Sequence, residues 1–94
     1  MATTVKVVNG RIEEYKSGSR VRSYGSNIVD ADTDGEIVAA VTSQGRVEEY
    51  KNGSRVRSYG SDAVRVHVSS GIVAVTTSKG RTEEYRNGSR VRSY

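Results

Sequence analysis

The 94-residue chain predicts an all-β fold built from tandem repeats, and three observations lead to it. A sixteen-residue segment recurs at a spacing of 35 residues: GRIEEYKSGSRVRSYG from Gly10, GRVEEYKNGSRVRSYG from Gly45 and GRTEEYRNGSRVRSY from Gly80. Self-similarity at a fixed period means one supersecondary unit, copied so that neighbours bury a shared core. Glycine and asparagine punctuate the chain, and the stretches between them alternate or are β-branched, as short strands joined by tight turns are. No stretch carries the apolar period of a helix.

Each period divides into four strands. Strand A, Asn27 to Asp32 and Ala63 to Val68, is short and mixed in polarity. Strand B, Thr3 to Val8, Ile37 to Ser43 and Ile72 to Ser78, contains the runs IVAAV and IVAV, which lack clean alternation and so predict a strand covered on both faces. Strand C, Arg11 to Lys16, Arg46 to Lys51 and Arg81 to Arg86, is charged, as is strand D, Ser19 to Tyr24, Ser54 to Tyr59 and Ser89 to Tyr94. The C-to-D links are Ser17-Gly18, Asn52-Gly53 and Asn87-Gly88, and the B-to-C links include Asn9-Gly10, Gln44-Gly45 and Lys79-Gly80. Such pairs supply the positive φ angles of two-residue hairpin turns. The polarity gradient places A and B inside and C and D at the rim. Residues 1–94 form one repeat domain with units 1–25, 26–60 and 61–94, the first without strand A.

A two-residue turn sets the C-to-D register. Lys16 then faces Ser19, Tyr15 faces Arg20, Glu14 faces Val21, Glu13 faces Arg22, Ile12 faces Ser23 and Arg11 faces Tyr24. One side of the hairpin carries Tyr15 with Arg20, Glu13 with Arg22, and Arg11 with Tyr24. Cross-strand pairs of this kind contribute roughly 0.2 to 1 kcal/mol each. The C and D segments agree at twelve of fifteen positions in all three copies, whereas Ser26 to Gln44 and Ser61 to Lys79 agree at seven of nineteen. Packing between repeats, or a surface presented three times, constrains C and D. The near-identity of the copies fits recent duplication and engineering equally.

Cysteine, tryptophan, phenylalanine and proline are absent, so no disulfide or thiolate metal site forms and the core rests on Val, Ile, Ala and six Tyr. So small a core is marginal alone, and self-association is expected. No apolar run reaches the length of a membrane span, and MATTVKVVNG lacks a leader pattern, so a soluble chain of undetermined compartment is expected. The net charge of +4 belongs to the repeated segment, each copy of which carries four basic and two acidic side chains.

The strand-turn rhythm IVAVTTSKGRTEEYRNGSRVRSY and its earlier copies resemble a blade of the β-propeller superfamily, with four-stranded antiparallel sheets set radially around an axis. The resemblance covers the whole chain and implies closure by homo-oligomerisation, since two copies of a three-unit chain supply six blades. A second resemblance, to the three-sided β-prism of monocot mannose-binding lectins, implies closure within one chain and a carbohydrate ligand. Their sugar motif, Q-x-D-x-N-x-V-x-Y, is met in the corresponding stretch, Ser43 to Tyr50, only by the Tyr.

Asp30, Asp32 and Asp34 before Gly35 match the opening of a calcium loop. The distal carboxylate is missing, and the plainer reading sets Asp30 and Asp32 against Arg65 and His67 of a neighbouring inner strand. His67 has no nucleophile at an informative spacing, and the adjacent Glu13-Glu14, Glu48-Glu49 and Glu83-Glu84 point to opposite strand faces, so neither set predicts an enzyme or a cofactor. The repeated Arg-Val-Arg-Ser-Tyr is the main binding candidate. On the expected register Arg20, Arg22 and Tyr24, with Arg55, Arg57 and Tyr59, and Arg90, Arg92 and Tyr94, form rims suited to a polyanion, nucleic acid or acidic polysaccharide. The competing glutamates favour a structural role. The expected function is a non-catalytic, self-assembling interaction module, a homodimer rather than a membrane protein.

Overall fold

The computed structural model describes residues 3–94, which form eleven strands and no helix. Residues 1 and 2 of the expected first unit lie outside the described residues. The strands are β1 (Thr3–Val8), β2 (Arg11–Lys16), β3 (Ser19–Tyr24), β4 (Ile28–Thr33), β5 (Val38–Thr42), β6 (Val47–Lys51), β7 (Ser54–Tyr59), β8 (Ala63–Ser69), β9 (Ile72–Thr77), β10 (Thr82–Arg86) and β11 (Ser89–Ser93). They form three antiparallel sheets, β1-β2-β3, β4-β5-β6-β7 and β8-β9-β10-β11. Strand ends depart from expectation by a residue where turns claim them. Asn27, for example, is at φ 55 and starts no strand.

Each C-to-D hairpin closes on two residues of positive φ. In the second sheet these are Asn52 (φ 54) and Gly53 (φ 83), the paired left-handed geometry whose twist matches the flanking strands. The register beyond the turn differs from expectation. Lys16 faces Ser19 and Tyr15 faces Arg20, but Val21 is then an extra residue, so Glu14 faces Arg22, Glu13 faces Ser23 and Ile12 faces Tyr24. The same bulge falls at Val56 and Val91. A bulge flips the side-chain parity of the outer strand, which gives each of two adjacent glutamates an arginine on its own face. It leaves Val21, Val56 and Val91 exposed and irregularises the outer edge, a device that discourages edge-to-edge pairing.

Two apolar cores form, one between each consecutive pair of sheets. Ile12 and Tyr24 of the first sheet pack with Ile28, Val38, Ala40 and Tyr50 of the second, with Val5 and Val7 alongside. Ala39, Val41 and Val47 of the second sheet pack with Val66, Val68, Val73, Val75 and Tyr85 of the third. As expected for a strand covered on both faces, β5 is buried throughout, whereas β9, which carries the IVAV run, departs from that expectation and buries only alternate residues, because no further sheet covers its front. A three-sided prism would instead have one core shared by three sheets.

The first sheet reaches its core by a different turn. Asn9-Gly10 is a two-residue link, whereas four residues separate β5 from β6 and β9 from β10. The first link sets Val5 opposite Glu14 and Val7 opposite Ile12, which turns both valines toward the second sheet. Calling the face toward the following sheet the front, Thr4 and Lys6 then occupy the rear of the first sheet, opposite Tyr15 and Glu13. The matching places on the second sheet, opposite Tyr50 and Glu48, hold Val38 and Ala40. On the front of the third sheet Thr76 and Thr82 stand where the second has Val41 and Val47. The apolar residues are thus concentrated on the internal faces, and the two terminal faces are more polar, although the front of the third sheet keeps Ile72 and Ala74 beside Thr76 and Thr82.

The inner edge is sealed by side chains. Asp30 accepts a hydrogen bond from the N–H of Val66 (3.0 Å), Asp32 from that of Val68 (2.7 Å) and Asp34 from that of Gly71 (2.8 Å). Carboxylates from β4 and the turn after it therefore satisfy donors along β8, an edge strand of its sheet, and in the turn that follows β8.

Ile12, Val47 and Thr82 hold one place in the three hairpins, so the two ends of the stack can be compared directly. Ile12→Ala is expected to lower the unfolding free energy by about 2 to 5 kcal/mol, as buried large-to-small changes do. Thr82→Ala, on the terminal face, should change it by less than about 1 kcal/mol. Urea unfolding of both variants measures the contrast.

Candidate functional site

The bulge divides the expected rim. Arg20 lies on the face of Glu13 and Tyr15, at the rear, while Arg22 and Tyr24 lie on the face of Glu14, at the front. The three residues expected to share one strand face therefore do not, and the same holds for Arg55 against Arg57 and Tyr59, and for Arg90 against Arg92 and Tyr94. The opposition of Glu13 to Arg22 and of Arg11 to Tyr24 is replaced as well. Arg11 instead donates to the carbonyl of Gly25 at 3.0 Å.

Each glutamate holds one tyrosine and one arginine, so every hairpin carries two Glu-Tyr-Arg triads, one per face. At the rear, Glu13 accepts from the Tyr15 hydroxyl at 2.8 Å and from the Arg20 guanidinium at 3.3 Å. The counterparts are Tyr50 and Arg55 on Glu48 (2.6 and 3.2 Å), and Tyr85 and Arg90 beside Glu83 (2.7 and 3.6 Å). At the front, Arg22 and Tyr24 donate to Glu14 at 2.8 and 2.9 Å, Arg57 and Tyr59 both donate to Glu49, and Arg92 and Tyr94 each donate to Glu84 at 2.5 Å. Glu49 is fully buried, and a carboxylate taken out of water persists only when so satisfied.

The front triad of one sheet meets the rear triad of the next. The Tyr24 ring lies 4.8 Å from that of Tyr50, and the Tyr59 ring 4.5 Å from that of Tyr85, both tilted, within the separation at which aromatic pairs attract. The arginines lie on the turns. Arg22 Cδ is 2.9 Å from where a Cβ on Gly53 would sit, and Arg57 Cδ is 2.7 Å from the same point on Gly88, so a side chain there would push the arginine off the turn. Burial grades along the stack. Tyr24 is 8 % exposed and Tyr94 61 %. The side chains of Arg22 and Arg57 are 31 % and 36 % exposed, against 63 % for Arg92.

These contacts set the acid–base behaviour of the hairpins. Burial, and then the hydrogen bond to Glu48, push the Tyr50 phenol up to about 12, and burial with the bond to Glu83 does the same for Tyr85. Tyr24 and Tyr59 are raised further, again by burial first and by Glu14 and Glu49 second. Glu13 and Glu84 are lowered, each chiefly by its tyrosine hydroxyl, Tyr15 and Tyr94 respectively.

The aspartate row has other work. Asp30, Asp32 and Asp34 are committed to donors of the neighbouring chain segment, and among the described residues no group of three or more His, Cys, Asp or Glu side chains is placed to hold a metal. His67 Nδ1 stands 3.1 Å from Asp32, as the plainer reading expected, while Asp30 meets the Val66 N–H rather than Arg65. Between the second and third sheets runs a groove of about 450 Å³ lined by Asp34, Glu36, Lys51 and Arg57, charges of both signs that suit no single class of ion.

The bulge does not follow from the turn residues alone, yet the sequence carries a signal for it. Adjacent glutamates point to opposite faces, whereas Arg20 and Arg22 on a regular strand share one. Both carboxylates can be paired only if the strand changes parity between the arginines, at Val21.

The family model described as Helicobacter pylori IceA2 protein matches residues 1–59 and again residues 49–94, and the chain belongs to that family. No curated protein matches the sequence.

The tyrosines predict an alkaline transition. In the unfolded chain the phenols ionise near 10, while in the fold Tyr50 and Tyr85 stay neutral to about 12. A raised native pKa contributes stability that is complete below the unfolded value and is lost as pH climbs through the native one. Between pH 10 and 12 the native protein should therefore show less tyrosinate absorbance than the urea-unfolded chain, and its stability should fall. Coincident titration of the two forms would refute the assignment.

Proposed function

We propose that the chain is a non-catalytic structural and interaction module that assembles through its sheet faces. In this reading two copies place six sheets in a propeller-like ring, and the repeated hairpin holds neighbouring sheets together. The observation that carries it is the recurrence of one contact set, tyrosine on tyrosine and arginine on turn glycine, between the first and second sheets and between the second and third. Side chains engaged in that contact are not free for a ligand.

The rival reading is a binding module for polyanions. It draws on Arg20, Arg55 and Arg90, whose side chains are 59 %, 58 % and 58 % exposed although each is paired with a glutamate. Exposed arginine can neutralise phosphate, but here each faces a carboxylate that repels the same anion.

Two measurements separate the readings. Light scattering at high protein concentration should give the mass of two chains, and a monomer at every concentration would contradict assembly. Fluorescence anisotropy with labelled single-stranded DNA should show no binding at low salt. Tight binding that falls steeply with added salt would favour the anion module instead.

A further inference from the structure

We infer that the front of the third sheet, at Arg92 and Tyr94, docks on the rear of the first sheet of a second copy, at Tyr15 and Gly18. The inference rests on the assembly reading above and names the surface through which assembly occurs. Its basis is continuity with a contact the chain already makes twice. Tyr24 stacks on Tyr50 and Tyr59 on Tyr85, and the next pair in the 35-residue series is Tyr94 with a residue in the place of Tyr15. Arg22 lies over Gly53 and Arg57 over Gly88, and the next pair is Arg92 with a glycine in the place of Gly18.

Both halves of that third contact are preformed. Arg92 and Tyr94 are already gathered on Glu84 at 2.5 Å, the arrangement that Glu14 and Glu49 impose on the internal pairs. Tyr15 is held by Glu13 at 2.8 Å, and a Cβ at Gly18 would meet nothing within 4 Å, where Gly53 and Gly88 are each covered by an arginine. Side chains fixed before they meet a partner lose little freedom on binding.

Charge favours the same occupant. In the first internal contact Ala40 packs in one core with Tyr24. The residue in the place of Ala40 on the first sheet is Lys6, whose ammonium lies 5.2 Å from the Tyr15 ring centroid. Across the inferred contact it meets Tyr94 and the Glu84 carboxylate, an aromatic face and an anion. One face has Thr76 and Thr82 beside Ile72 and Ala74, and the other has Thr4 and Lys6, so little apolar surface faces apolar surface, the contact is made chiefly at the hairpins, and it yields to dilution and salt. A twofold pair of chains satisfies both faces of each copy at once.

The test is sedimentation velocity over a protein concentration series, with mapping of tyrosine cross-links after photo-oxidation of the unmodified chain. The wild type should dimerise, the double variant Arg92→Ala, Tyr94→Ala should dimerise at least tenfold more weakly, and Lys79→Ala, an exposed turn charge, should match the wild type. Cross-linked dimers should join the peptides containing Tyr94 and Tyr15. Dimers that survive the double substitution, or that lack this cross-link, overturn the contact and leave assembly standing. A wild type that remains monomeric throughout overturns both. Cross-link mapping needs no variant, so it decides the matter even if the double variant unfolds.

Discussion

A carboxylate between two β-sheets has to be paired in place, and that requirement at Glu14 and Glu49 governs much of this molecule. Removal of a charge from water costs several kcal/mol in a folded protein unless hydrogen bonds replace the lost solvent. Here an arginine and a tyrosine from the next strand replace it. To deliver both to one face, the strand must bulge at Val21 and Val56. The bulge in turn sets Ile12 opposite Tyr24 and Val47 opposite Tyr59, which fixes the edge of each core. The positive φ of the turns calls for glycine at Gly18, Gly53 and Gly88 alike, and at the last two the neighbouring sheet's arginine packs against the space this leaves.

The polar constraint also explains how the residues are distributed between copies. The hairpin hardly varies because one set of side chains must meet its own triad and the adjoining one. Strands A and B vary because they answer to their place in the stack. Valine and alanine fill β5, which is covered on both faces, while lysine and threonines occupy the terminal faces. Strand A varies for a related reason. Asp30 and Asp32 reach the N–H donors of β8, and the places they hold on β4 are held on β8 by Arg65 and His67.

Much of this was legible in the residues. Period, turn pairs and β-branched runs placed all eleven strands and the antiparallel hairpins, because local turn chemistry and side-chain alternation determine both. The rim was misread, because a regular two-strand ladder carries parity unchanged from Tyr15 to Arg11, and only the demand to pair both Glu13 and Glu14 reveals the change at Val21. The role of the aspartate row was half legible. Its neighbour could be guessed from Arg65 and His67, but its bonds go to backbone N–H groups, which any sequence supplies. The polar ends escaped notice because Lys6 and Thr4 reach the rear face only through the one-residue difference in register that the Asn9-Gly10 turn creates.

The hairpin depends on energetic coupling between the buried carboxylate and the side chains that the bulge brings to it. A double-mutant cycle in urea unfolding, with Glu49→Gln, Tyr59→Phe and the pair together, reads that coupling directly. A coupling of about 1 to 3 kcal/mol is the result it requires, and additivity within about 0.5 kcal/mol would contradict it.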